Sequence, residues 1–107
     1  MSLYAQYIKQ REGYETIEIP EGFVTYRIEG EIVYLRDAYM VPQSRKILVF
    51  DLADKVCEIG RSSGCKKMMA SVSPIDPNAT GNLKVLLHYG MKLHHATQEL
   101  IFFEKEL

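Results

Sequence analysis

The chain has 107 residues, of which 47% are hydrophobic and 25% are charged, and its formal net charge is −1. This length allows one domain with a single core, and the composition is that of a globular protein rather than a disordered tail. Because basic residues are not in excess, we expect no nucleic-acid partner, and because no apolar run approaches about 18 residues, we expect no membrane span.

The sulfur and imidazole side chains indicate neither disulfides nor a metal site. Cys57 and Cys65 lack the spacing of a metal or redox motif and are too few for a disulfide framework. We therefore expect free thiols, a reducing compartment and a cytoplasmic location. His94 and His95 are adjacent, so on a strand they should point to opposite faces and not share a metal ion.

Hydrophobic periodicity and turn residues predict three helices and at least five strands. Ser2 and Ser44 are suited to cap the first two helices, and Gly13 and Gly90 stand where helices should end. A further alternating stretch, Thr16–Ile19, is either a strand or an extended arm. The predicted helices are Leu3–Glu12, Arg45–Arg61 and Asn82–Tyr89, and the predicted strands are Phe23–Ile28, Ile32–Val41, Cys65–Val72, Met91–His94 and Leu100–Phe103.

The order of these elements predicts the fold class. Strand–helix–strand crossovers favour parallel neighbours, whereas the close strands at each end of the chain favour antiparallel hairpins. The sequence therefore predicts one α/β (α+β) domain over residues 1–107, with a mixed, mostly antiparallel central sheet and about three helices. The residues expected in the core are Ile8, Phe23, Tyr26, Ile32, Tyr34, Leu35, Leu48, Leu52, Val56, Ile59, Met69, Val72, Leu83, Leu86, Leu87, Ile101 and Phe103.

The segment Tyr34–Arg45 resembles the central strand and following turn of the GNAT superfamily of N-acetyltransferases. In both, an apolar strand ends in valine and proline and a basic residue follows. The downstream half agrees with this resemblance. The segment Gly64–Lys67 leads into a strand, a short helix follows, and the segment Tyr89–Leu93 comes next. These look like the later strand, the closing helix and the Gly-Phe step of that superfamily. The resemblance spans roughly residues 23–105 and implies a single GNAT-like domain with the acyl-CoA N-acyltransferase fold.

The resemblance also implies where a cofactor would bind. In the superfamily a loop read as Arg/Gln-x-x-Gly-x-Gly/Ala holds the pyrophosphate of acetyl-coenzyme A at a helix N-terminus, where free N–H groups and the helix dipole favour an anion. The glycine positions fall on Leu48 and Phe50 here, and the position of the usual tyrosine acid falls on Leu86. These departures predict a degenerate loop and make acetyl-coenzyme A a doubtful cofactor. The implied cofactor-binding residues are Tyr39, Met40, Val41, Arg45, Lys46, Leu48 and Phe50.

Catalysis by direct transfer needs a base that takes a proton from the acceptor amine. The carboxylates suited to this are Asp37, on the predicted central strand, and Glu31, near its start. The competing interpretation is that Asp37 is a solvated strand residue, as most strand carboxylates are. The sequence therefore names Asp37 and Glu31 as catalytic candidates without deciding whether the chain is an enzyme.

Two functions remain open from the sequence. The departures in the loop favour a non-enzymatic protein that acts through a protein partner or self-association, and the alternative is an active N-acetyltransferase. The whole chain is similar to short GNAT-like proteins of tailed bacteriophages and prophages, in the segments Tyr7–Gly13, Gly22–Tyr26 and Val85–Gly90. Some of these proteins are linked with assembly of the phage head, which would place this chain in the host cytoplasm. A third interpretation, an apolar ligand pocket at Leu48 and Phe50, has no positive support.

Overall fold

A computed structural model of the chain describes residues 2–42 and 47–107. The predicted cap Ser44 and the predicted cofactor residues Arg45 and Lys46 lie outside the described residues. The elements of the described part are α1 (Leu3–Glu12), β1 (Glu15–Ile19), β2 (Gly22–Glu29), β3 (Ile32–Met40), α2 (Ile47–Ser62), β4 (Lys67–Val72), α3 (Ala79–His88), β5 (Lys92–Ala96) and β6 (Ile101–Glu106).

The strands form one sheet in the order β1-β2-β3-β4-β6-β5. All neighbours are antiparallel except β3 and β4, which are parallel because the crossover helix α2 connects them. The predicted mixed, mostly antiparallel sheet is thereby confirmed. The ambiguous stretch at Thr16–Ile19 is a strand, since β1 pairs with β2 along its full length.

Local capping explains why α1 has the bounds that the sequence predicts. The Ser2 hydroxyl accepts a hydrogen bond from the Ala5 N–H at 3.0 Å. At the other end Gly13 adopts a φ of 74°, and its N–H donates to the Lys9 carbonyl at 3.1 Å. A left-handed residue at this position favours glycine. The helix buries Ala5 and Ile8 on one face of the sheet.

The main core lies on the opposite face of the sheet, beneath α2 and α3. Its centre consists of fully buried Val24, Val33, Leu52, Val56 and Met68. Of the predicted core, the structure buries Ile8, Leu52, Val56, Met69, Val72 and Phe103.

Two predicted core positions differ from the structure for identifiable reasons. Phe23 faces α1, where it contacts Tyr4 and is only partly buried, while its neighbour Val24 faces the core. The prediction for Leu87 is wrong, because α3 turns this side chain outward and leaves it 56% exposed.

Both cysteines are free, as the sequence predicts, and the structure buries both. Among the described residues no helix is long and apolar enough to cross a membrane.

Truncation of Met68 should destabilise the protein far more than truncation of Leu87. Met68 is 0% exposed, so Met68→Ala leaves a cavity and should lower the free energy of unfolding by about 2–5 kcal/mol. Leu87→Ala should change it by about 0.5 kcal/mol or less. Urea unfolding of both variants measures the difference, and equal losses would contradict this assignment of the core.

Candidate functional site

The sheet opens between its two parallel strands. β3 and β4 pair at four register positions, the last of which joins Leu35 to Ala70. Beyond that pair β3 continues to Met40, held by β2, and β4 continues to Val72, held by β6. We call the space between these two strand ends the β3–β4 gap.

A β-bulge in β3 marks the start of this gap. Arg36 and Asp37 together stand opposite a single residue of β2, Thr25. A bulge of this kind bends its strand and increases the local twist, which turns β3 away from β4. Thr25 is 0% exposed, and its hydroxyl accepts a hydrogen bond from the Asp37 backbone N–H at 3.0 Å. The buried hydroxyl thus supplies the partner that the bulged residue would otherwise lack.

The backbone N–H groups beyond the bulge point alternately to β2 and to the gap. Those of Asp37 and Val41 donate toward β2, at 3.0 Å and 2.7 Å. Because the groups alternate along a strand, the N–H of Tyr39 also faces β2, and those of Ala38 and Met40 face the β3–β4 gap. Of the predicted cofactor-binding residues Tyr39, Met40 and Val41, only Met40 therefore directs its N–H into the gap, and Ala38, which also does so, was not predicted.

The Asp37 carboxylate lies on the α1 face of the sheet, beside the start of the gap. Its Oδ2 accepts a hydrogen bond from the Tyr4 hydroxyl at 2.8 Å and lies 3.7 Å from Arg36 Nε. Arg36 also forms an ion pair with Glu12. Burial, followed by the hydrogen bond to Asp37, raises the pKa of Tyr4, so this phenol stays protonated and remains a donor.

Three aromatic rings extend from Asp37 along the same face. The ring centroids of Tyr4 and Phe23 are 5.2 Å apart, and those of Phe23 and Tyr39 are 5.9 Å apart. Tyr4, Phe23 and Tyr39 are called the aromatic row below. Tyr39 is 51% exposed, so this end of the row is open to a ligand.

On the other face, the first turns of α2 contact α3. The Phe50 ring stacks on Tyr89 with centroids 5.6 Å apart. The Tyr89 hydroxyl donates to Asp54 at 2.6 Å and lies 3.3 Å from Cys57 Sγ. Burial, then the hydrogen bonds to Asp54 and Cys57, raise the pKa of Tyr89 above its ordinary value. Phe50, predicted to contact a cofactor, is thus engaged with α3, and Leu48 is half-buried.

The second catalytic candidate lies far from the first. Glu31 is in the turn before β3, and its carboxylate is 3.6 Å from Lys66 Nζ. Asp37 is six positions further along the extended strand, about 20 Å away at the usual rise per residue. Since it stands at the end of β3 opposite the gap, the structure does not bring the two carboxylates together.

A second bulge, in β5, places the His94 and His95 rings close together. The register of β5 with β6 shifts at His94, and the Nδ1 atoms of His94 and His95 are 2.6 Å apart. The prediction that the two rings point to opposite faces is therefore wrong, because the bulge interrupts the alternation. His95 stacks on Phe102, and His94 Nε2 lies 3.4 Å from the Glu104 carboxylate. The described residues contain no group of three side chains that could hold a metal ion.

Comparison with known proteins shows the fold at low sequence identity. No family model matches the chain, and no curated protein matches its sequence. A protein assigned to the GNAT acetyltransferases from Desulfovibrio desulfuricans superposes with a TM-score of 0.74 at 16% identity, over 96% of this chain and 77% of that one. PaiA N-acetyltransferase from Thermoplasma acidophilum, solved with coenzyme A, gives 0.72 at 17% identity.

Lengths differ among these structural neighbours. The match to PaiA covers 81% of this chain and 54% of PaiA, so the chain spans about half the length of that enzyme. The anti-CRISPR protein AcrVA5 gives a TM-score of 0.69 at 17% identity, over 83% of this chain and 96% of AcrVA5. The chain therefore has the acyl-CoA N-acyltransferase fold of the GNAT proteins, and a short form of that fold occurs in another solved protein.

Replacement of Thr25 should test the support of the bulge. Thr25→Val keeps the shape of the side chain but leaves the Asp37 N–H without its acceptor, which should cost about 1–3 kcal/mol of unfolding free energy. Amide hydrogen exchange at Asp37 should become faster in this variant. Thr25→Ser keeps the acceptor and should keep the amide protected, even where loss of the methyl group lowers the free energy of unfolding. Equal exchange rates in the two variants would show that the hydroxyl does not hold the bulge.

Proposed function

We propose that the chain binds acetyl-coenzyme A in the β3–β4 gap and transfers the acetyl group to an amine. The observation that supports this most directly is the end of the β3–β4 ladder at Leu35 and Ala70, with the N–H groups of Ala38 and Met40 directed into the opening. The pantetheine arm of coenzyme A is extended and carries amide groups. Such an arm can hydrogen-bond to β3 in the way that a neighbouring strand would.

The same geometry suits the chemistry of direct transfer. The amine nitrogen attacks the thioester carbonyl carbon, and the carbonyl oxygen takes up negative charge in the tetrahedral intermediate. A backbone N–H in the gap, from Ala38 or Met40, stabilises that charge. The carbon–sulfur bond then breaks, coenzyme A leaves as a thiolate, and the amine proton passes to the Asp37 carboxylate. Tyr4 acts as a positioning residue through its hydrogen bond to Asp37.

The comparisons support this proposal through the fold. PaiA, which shares the fold, was solved in complex with coenzyme A. The cofactor in this chain would be held mainly by the main chain of β3, which does not depend on side-chain identity. Leu48 and Phe50 stand where the superfamily has small residues, so the contribution of the loop to pyrophosphate binding should be weak.

A second candidate is a non-enzymatic role through protein contacts. The Phe50–Tyr89 stack joins α2 to α3 at a position where the superfamily has a small residue, and Leu3 and Tyr7 on α1 are 84% and 55% exposed. Together with the similarity to short phage-encoded GNAT-like proteins, this favours a protein partner or self-association, for instance in assembly of a phage head in the host cytoplasm.

Calorimetric titration with acetyl-coenzyme A tests the first proposal. The native chain should bind, and Ala38→Pro should bind at least about fivefold more weakly, because proline removes an N–H that faces the gap. The substitution leaves the ladder hydrogen bonds between β3 and β2 in place, since the Ala38 N–H does not face β2. Ala38→Ser keeps the N–H and should bind like the native chain.

Two results of this titration would favour the second candidate. Absence of binding at millimolar acetyl-coenzyme A by folded native protein would exclude the first proposal. Binding gained only in the Leu48→Gly/Phe50→Gly variant would show that side chains have closed the cofactor site of this scaffold. Light scattering on the native chain would then show whether it self-associates.

A further inference from the structure

We infer that the acceptor is a primary amine with a single positive charge on an apolar or aromatic body, bound by Asp37 and the aromatic row. This inference rests on the proposed function, since it concerns the second substrate of the same site. It is carried by the placement of a half-exposed carboxylate at the end of three neighbouring rings, next to the gap where a thioester would lie.

Asp37 has binding capacity left for an ammonium group. In the described part of the chain both of its recorded side-chain contacts, with Tyr4 and Arg36, go to Oδ2. Oδ1 therefore remains to accept a hydrogen bond from a ligand, and the carboxylate is 43% exposed. An ammonium at this position would place its nitrogen beside the gap. It attacks as the free amine after losing one proton to solvent, and the second proton passes to the Asp37 carboxylate as the carbon–sulfur bond breaks.

The charge around Asp37 matches one cation. Arg36 is paired with Glu12 as well as with Asp37, so these three side chains together carry one net negative charge. A polyamine or an aminoglycoside has several cationic groups, and each of them needs its own acceptor to offset the loss of hydration. The described residues of this cluster supply a counter-charge for one ammonium.

The aromatic row would bind the uncharged part of the ligand. The rings lead away from Asp37 in the order Tyr4, Phe23, Tyr39, and the last is half-exposed. Their faces offer apolar contact and stack with an aromatic group at the spacing that ring pairs prefer. They also attract a cation electrostatically, which adds to the charge of Asp37. A ring or alkyl chain attached to the ammonium would thus cover the row.

Titrations of the native chain by two-dimensional NMR, without cofactor, test the inference directly. The probes are phenethylamine, which has both the charge and the ring, 2-phenylethanol, which lacks the charge, and spermidine, which lacks the ring. Phenethylamine should bind most tightly and shift the amides of Asp37 and Tyr39. Asp37→Asn, which keeps an acceptor for the Tyr4 hydroxyl, and Tyr39→Ala should each weaken phenethylamine binding by about three- to fivefold.

Tyr7→Ala is the matched control. Tyr7 is as exposed as Tyr39, but its ring already faces the Arg11 guanidinium at 5.7 Å, so its loss should leave phenethylamine binding unchanged. Tighter binding of spermidine than of phenethylamine, or a Tyr39→Ala variant that binds like the native chain, would overturn the inference.

The amine titration and the acetyl-coenzyme A calorimetry test separate proposals, so either can give a negative result without the other. Binding of acetyl-coenzyme A without binding or acetylation of phenethylamine would refute the inferred acceptor and leave the proposed function standing. Binding of phenethylamine at Asp37 without binding of acetyl-coenzyme A would refute the proposed function and leave an amine site. Thiol release from acetyl-coenzyme A, faster with phenethylamine than with spermidine, would support both.

Discussion

The hydrogen bond from the Asp37 N–H to the buried Thr25 hydroxyl holds the feature on which the candidate site depends. It secures a bulge in which Arg36 and Asp37 share one partner on β2. The bulge turns β3 away from β4, so the sheet opens without a break in the ladder to β2. It also places both bulged side chains on the α1 face and directs alternate N–H groups into the gap. The hydrogen bond between Asp37 and Thr25 therefore supports three features together: the direction of the β3 backbone, the face on which Arg36 and Asp37 lie, and the opening between β3 and β4.

The two faces of the sheet act in different ways at this opening. On the α1 face, Tyr4 orients Asp37 and the aromatic row leaves an accessible surface. On the other face, Phe50 stacks on Tyr89, whose hydroxyl is bound to Asp54, and this contact ties the start of α2 to the end of α3. A cofactor held by the strand backbone, as proposed, would use the opening between β3 and β4 rather than the side chains of α2. The departures from the superfamily loop thus weigh against tight pyrophosphate binding more than against occupation of the gap.

The sequence was sufficient for the elements, their order and the fold class, because helical periodicity, caps such as Ser2 and Gly13, and the crossover through α2 each have a local signature. It was insufficient where irregularity or packing decided the outcome. The faces of His94 and His95 and the direction of the Ala38 N–H follow from two bulges, which alternation alone cannot locate. Val24 rather than Phe23 lies in the main core because helices cover both faces of β2, and both faces of such a strand are apolar.

The proposed acetyl transfer would depend more on the leaving group than on a protein acid. Leu86 stands where the resemblance places the tyrosine acid, and it packs against the core. Tyr89 is nearby in sequence, but its hydroxyl donates to Asp54 and its raised pKa keeps the proton on the phenol. A thiol has an ordinary pKa of about 8.5, so coenzyme A can depart as a thiolate near neutral pH without prior protonation. In the proposed reaction, proton removal from the amine would then be the step that needs a side chain, and Asp37 is the carboxylate that the bulge places beside the gap.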